Sequence, residues 1–175
     1  AEISIVTFDD TARVLRDFSR VEYNDVRESV PILKTSNLTA LGAGVNLALD
    51  CLEKRKKQYK DKGIDYYQPW LVIMTDGEDN GSPDELDKAR MRIQRLVSEN
   101  KLSVFPFIIG TDAGKATLAS LSPAQAPMQI EVTQMKGLFT WMGKSIAAVS
   151  SGSIGDNKLF TLTESDIIKW DAPLE

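Results

Sequence analysis

Apolar positions in this chain fall into short unbroken runs and into helical stripes, and the two kinds alternate. Trp70-Leu71-Val72-Ile73-Met74 has no polar interruption, and the acidic stretch Thr75-Asp76-Gly77-Glu78-Asp79-Asn80 follows at once. A run this short and this apolar predicts a strand covered on both faces, as in a parallel sheet between helices. Residues 102–110 form a second buried run, with Thr111-Asp112 at its end. Pro106 inside it removes one ladder donor and predicts an irregularity or a sheet-edge position. Met128 to Val132 alternates and predicts a short strand. Residues 1–8 and 12–18 read as two further strands, and the short Asp9-Asp10 turn between them predicts an antiparallel hairpin.

Helical stripes lie between the runs. Val45, Leu47, Ala48, Cys51 and Leu52 share one face of a helix whose basic end, Lys54 to Lys60, complements the helix dipole. Ser82-Pro83-Asp84-Glu85 predicts a helix start with Ser82 as N-cap, Pro83 in the first turn and Glu85 closing a capping box. Leu86, Ala89, Ile93, Leu96 and Val97 form its stripe, Lys115 to Leu121 predicts a short helix, and Leu138, Trp141, Met142, Ile146 and Val149 mark a last one. Asn24-Asp25 predicts a cap for a short helix carrying Val26 and Val30. From Ser150 the composition turns linker-like, and a tail with Phe160, Leu162, Ile167, Ile168 and Trp170 follows. The alternation of helix and strand predicts an α/β three-layer sandwich.

Composition narrows the chemistry. The chain has 175 residues, enough for one domain with a sizeable core, and a net charge of −4, which offers no basic surface for nucleic acid. Lys54-Arg55-Lys56-Lys57 reads as a solvated helix face beside Asp50 and Glu53. There is no histidine, which removes histidine acid–base catalysis, the Ser-His-Asp triad and the usual zinc sites. The single cysteine, Cys51, reads as a packing residue. No apolar run has the roughly 18 residues that cross a bilayer, so no membrane partner is expected. Gly42-x-Gly44 lacks a preceding strand and a third glycine, so it reads as small residues that let a helix pack closely on the sheet.

Two polar loops remain. Thr75 and Asp76 stand beyond the carboxyl end of a predicted strand, where open α/β sheets bind ligands. Their oxygens suit hard cations. Asp9 and Asp10 offer the same atoms but read as turn formers. The order and separation of residues 36–42 and 75–77 resemble a von Willebrand factor A domain, most closely the bacterial tellurite-resistance-associated type. The resemblance runs to about Val149 and is carried by E-I-S-I-V-T-F at 2–8, L-T-A-L-G at 38–42, Y-Y-Q-P-W-L-V-I-M-T-D-G at 66–77 and G-L-F-T-W-M at 137–142.

That resemblance implies a Rossmann-like α/β/α sandwich with a mostly parallel sheet and one antiparallel edge hairpin strand. It would span residues 1–149, with a linker and tail over 150–175. It implies a metal-ion-dependent adhesion site in which Thr39 and Asp76 bind Mg²⁺ or Mn²⁺ and an open position takes a partner's carboxylate. The implied role is non-enzymatic protein binding in a bacterial cytoplasmic stress-response or tellurite-resistance system, with a kinase or phosphatase of that system as candidate partner. The family's Asp-x-Ser-x-Ser motif and the strand before it have no counterpart here. That strand would lie between the strand at 2–8 and the strand at 70–75, so a longer polypeptide, another chain or a rearrangement is expected to fill the position. Two alternatives stay open: a scaffold with a degenerate metal site, and a metal-dependent phosphohydrolase using Asp76 with Asp79 or Asp112.

Overall fold

The computed structural model describes residues 1–20 and 39–150. The short helix expected after Asn24-Asp25 and the tail beyond Ser150 lie outside the described residues. Strands β1 (Glu2–Phe8) and β2 (Ala12–Arg20) form an antiparallel hairpin in which Phe8 stands opposite Ala12 and Val6 opposite Val14. Helix α1 (Leu41–Asp61) leads to β3 (Trp70–Thr75), α2 (Pro83–Ser98), β4 (Ser103–Ile109), α3 (Lys115–Leu121), β5 (Met128–Ile130) and α4 (Met135–Ser150). Strands β3, β4 and β5 form a parallel sheet in that order, the βαβ connections expected of alternating elements.

Side chains alternate across this sheet and divide the core in two. Ile73, Val104 and Ile108 point to one face, where Leu41, Val45 and Leu49 of α1, Ala89, Ile93 and Leu96 of α2, and Leu118 and Leu121 of α3 cover them. Phe105, Phe107, Met128 and Ile130 point to the other, against Leu138, Met135, Trp141 and Met142 of α4. Trp70, Phe105 and Trp141 meet there with ring centroids 4.9–6.2 Å apart. The result is a three-layer α/β/α sandwich, as the sequence pattern predicts.

Several boundaries differ from the sequence expectation. The final strand stops at Ile130, and residues 132–134 turn into a 3-10 helix closed by a capping box between Glu131 and Gln134, which leaves Val132 exposed. The capping box expected at α2 does not form. Glu85 instead accepts a 2.7 Å hydrogen bond from Nδ2 of the buried Asn46 on α1, which has a stronger claim on it because it cannot reach water. Pro106 sits in an unbroken middle strand, opposite Ile73. The Ser103 amide donates to Pro69, so odd-numbered residues of β4 face β3 and Pro106 faces the other way. Pairing with β5 begins only at Phe107, so the missing donor falls where the ladder has no rung.

Strands β1 and β3 run in the same direction. Glu2 bonds Arg55 and Tyr59 near the end of α1, whereas Phe8 packs at Gly44 near its start, and the loop after β3 also bonds the start of α1. Yet β1 pairs with β2 alone and β3 with β4 alone among the described residues. The position between them, where the family resemblance places its absent strand, is unpaired by any described strand. Burial agrees: every residue from Val104 to Ile108 is buried, whereas only Ile73 and Thr75 of the equally apolar β3 are.

Candidate metal and ligand site

Three loops meet at the carboxyl end of β3. Thr39 precedes α1, Asp76-Gly77 follows β3, and Asp112-Ala113-Gly114 precedes α3. A Cβ on Gly77 would lie 3.9 Å from the Thr39 hydroxyl oxygen, ordinary contact distance, which sets that hydroxyl beside the turn. Gly114 has φ +80°, and a Cβ there would overlap the Gly77 carbonyl oxygen, so only glycine admits this contact. Thr75 is buried and its hydroxyl donates to the Gly77 carbonyl at 3.3 Å, which tightens the turn that carries the exposed Asp76.

Thr39 is held through its main chain. Its carbonyl accepts from the Asn80 amide at 3.0 Å, and the next amide, of Ala40, donates to the Asp9 carbonyl at 2.8 Å. One peptide unit therefore bonds to the end of β1 on one side and to the β3 loop on the other. Helix α1 has Ala40 at its N-cap position and no acidic residue in its first turn. A carboxylate from elsewhere fills that role: Asp79 Oδ1 accepts from the Leu41 amide at 3.0 Å and from the Gly81 amide at 3.2 Å. The sequence offers Asp79 as acidic charge beside Asp76 and as a candidate hydrolase carboxylate, not as a cap; the signal for the cap is a long helix beginning at alanine, a poor cap.

The structure thus brings Thr39 beside the Asp76–Gly77 turn and gives Asp79, Asp9 and Asp112 partners of their own. Asp9 Oδ1 accepts from the Thr11 amide at 2.9 Å, the turn-forming role expected of it. Asp112 pairs with Lys115 at 3.4 Å. Among the described residues no three Asp, Glu, His or Cys side chains gather closely enough to hold a metal ion. The donors present fit a hard divalent cation in kind, a hydroxyl and a carboxylate at the end of a parallel strand. In number they supply only part of the six oxygens of octahedral coordination.

Other polar groups serve the fold. Arg55 bonds both Glu2 oxygens, Lys56 Nζ donates to the Lys101 carbonyl and Lys57 pairs with Asp61, so the basic run on α1 is largely taken up by local partners. Cys51 is half-buried, and desolvation together with Asp17 and Asp50 raises its thiol above the ordinary range, as suits a packing residue and not a nucleophile. The Gly42-x-Gly44 pair lies inside α1 and serves close packing: a Cβ at Gly44 would meet the Phe8 ring at 2.7 Å, and one at Gly42 would meet the Leu86 backbone nitrogen at 2.5 Å.

Comparison with solved structures places the fold. A von Willebrand factor type A protein from Catenulispora acidiphila superposes with a TM-score of 0.56 at 19% identity, over 75% of this chain and 30% of that one. Proximal thread matrix protein 1 from the mussel byssus superposes at 0.54 with 18% identity, over 83% of this chain and 36% of that one. A form of the same mussel protein with a zinc-occupied MIDAS motif superposes at 0.52 with 16% identity, over 85% and 35%. This chain therefore has a von Willebrand factor A-like fold and spans about a third of the length of these structures. No protein-family model and no curated protein matches the sequence. Among the described residues no helix is long and apolar enough to cross a membrane.

Proposed function

We propose that this chain is a non-enzymatic protein-interaction module that receives a partner's carboxylate at Thr39 and Asp76 with the help of Mg²⁺ or Mn²⁺. The observation that carries this reading is the meeting of the Thr39 hydroxyl with the Asp76–Gly77 turn at the carboxyl end of β3. A bound divalent cation would supply a coordination position open to a carboxylate oxygen. Thr39 would offer a hydroxyl lone pair to it, and Asp76 a carboxylate that solvent can reach, directly or through water. The zinc-occupied MIDAS motif of the mussel protein, which shares this fold, supports a divalent cation. The two backbone amides held by Asp79 Oδ1 support binding over phosphoester hydrolysis by an Asp76–Asp79 pair, because they give that carboxylate a structural role. The setting we assign, a cytoplasmic bacterial stress-response or tellurite-resistance system with a kinase or phosphatase as partner, rests on the sequence resemblance.

Calorimetric titration with Mn²⁺ tests the site. Thr39→Ala and Asp76→Ala should each weaken Mn²⁺ binding about tenfold or more, with melting temperatures in chelator within a few degrees of the parent. The scarcity of acidic donors among the described residues favours the scaffold with a degenerate site as the second reading. A parent protein whose stability and Mn²⁺ isotherm show no response to the cation selects that one.

A further inference from the structure

We infer that Asp79 is the positioning residue of this site: its carboxylate caps α1 and thereby fixes the Thr39 segment beside the Asp76–Gly77 turn. The inference rests on reading Thr39 and Asp76 as the site, and it gives Asp79 a role that is neither ligand nor catalytic acid.

A helix leaves its first amide donors without partners inside the helix. Here the Leu41 amide belongs to a residue that is 0% exposed, so water cannot serve it. Ala40 has no side-chain acceptor to offer. Asp79 Oδ1 takes that amide from the other side of the site loop, across 38 residues of sequence. The same oxygen takes the Gly81 amide, so the loop 79–81 wraps its own carboxylate and presents it in one orientation. Beside it the Asn80 amide bonds the Thr39 carbonyl. Gly81 closes the grip: a Cβ there would stand 3.0 Å from both Ala40 Cα and Asp79 Oδ1. Residues 79–81 therefore hold this segment through the main-chain groups of Thr39 and Leu41 and pack closely against Ala40, and the Thr39 side chain takes no part in these contacts. A negative charge at the start of the 21-residue α1 is also favoured by the helix dipole. What the site needs from Asp79 is the acceptor oxygen, which asparagine keeps and alanine lacks.

Three variants test this with Mn²⁺ alone as the probe. Asp79→Ala should weaken Mn²⁺ binding about tenfold, and Asp79→Asn should stay within about threefold of the parent. In a Thr39→Ala background, Asp79→Ala should cost nothing further, because the residue it positions is gone. A purely structural cap would lower the melting temperature of Asp79→Ala and leave the affinity of the folded protein unchanged, which overturns the inference. Equal losses in the alanine and asparagine variants would make Asp79 a charged ligand and overturn it too. If the parent binds no Mn²⁺, the reading of the site has failed, and hydrogen exchange then decides the role of Asp79. Faster exchange of the Asn80 amide in Asp79→Ala, restored in Asp79→Asn, upholds the positioning; unchanged exchange overturns it.

Discussion

At the residue scale, Glu2 ties the first strand to the far end of α1. Its two oxygens accept from Arg55 at 2.5 and 2.9 Å and from the Tyr59 hydroxyl at 2.6 Å. The Arg55 hydrogen bond, with help from Tyr59, holds the carboxyl below its ordinary value of 4.5, against a desolvation effect in the other direction. A carboxyl that is more acidic in the folded chain stabilises the fold fully above the unfolded value and loses that contribution as pH falls through the folded value. Glu2→Gln should therefore melt lower than the parent at neutral pH, and the difference should shrink below about pH 4.5. Thermal melts of both proteins from pH 7 to pH 3 check this, and a constant offset across the range would refute it. The pattern of residues 2–8 marked a strand but not this cluster, because the partners lie on a helix more than 50 residues away.

At the element scale, two glycines inside helices make opposite forecasts. Each costs its helix roughly 1 kcal/mol relative to alanine on propensity alone. At Gly42 a Cβ would fall 2.5 Å from the Leu86 nitrogen and 2.7 Å from Leu86 Cα, backbone atoms of the first turn of α2 that no rotamer change can move. Gly42→Ala should destabilise the fold by about 1–3 kcal/mol, since forced repacking outweighs the propensity gain. Gly143 lies on the exposed face of α4, and a methyl group added there would meet nothing within 4 Å, so Gly143→Ala should stabilise by about 0.5–1 kcal/mol. Urea titrations of both variants measure the two signs. Element types were legible in the sequence because burial stripes and runs follow from periodicity alone. The start of α1 was not, because its cap comes from Asp79 across the site, and neither was the loss of the α2 capping box, because Glu85 answers to a buried Asn46 on another helix. For the candidate site, the sequence marked Asp76 by its place beyond a buried strand and Thr39 by family resemblance, while the bonds that hold the Thr39 segment end on main-chain groups that no side-chain pattern records.

At the scale of the whole molecule, the feature that matters most is the gap between β1 and β3, a position that no strand among the described residues fills. The Ser103 amide bonds the Pro69 carbonyl, so odd-numbered residues of β3 face β4 and the backbone groups of Val72 and Met74 face the gap. At its mouth the Thr39–Ala40 peptide bonds Asp9 on one side and Asn80 on the other, as a peptide of a central strand would bond its two neighbours. Ile3 and Ile5 of β1 are 36% and 40% exposed, which adds an apolar margin. Two edges that run the same way, are backed by α1 and pair with no other strand among the described residues have the shape of an acceptor for one parallel strand, and open edges of this kind drive pairing with other chains. Kept by itself, this chain should exchange the Val72 and Met74 amides much faster than the Leu71 and Ile73 amides that face β4. It should also associate as its concentration rises. Ile5→Lys, a charge placed on an already exposed edge position, should leave the melting temperature nearly unchanged and reduce that association. Sedimentation and residue-resolved hydrogen exchange on parent and variant measure both effects. A monomeric parent in which Val72 exchanges as slowly as Ile73 would mean that residues of this chain outside the described ones already occupy the gap. The open-edge reading would then fall, while the parallel order of β1 and β3 that defines the gap would stand.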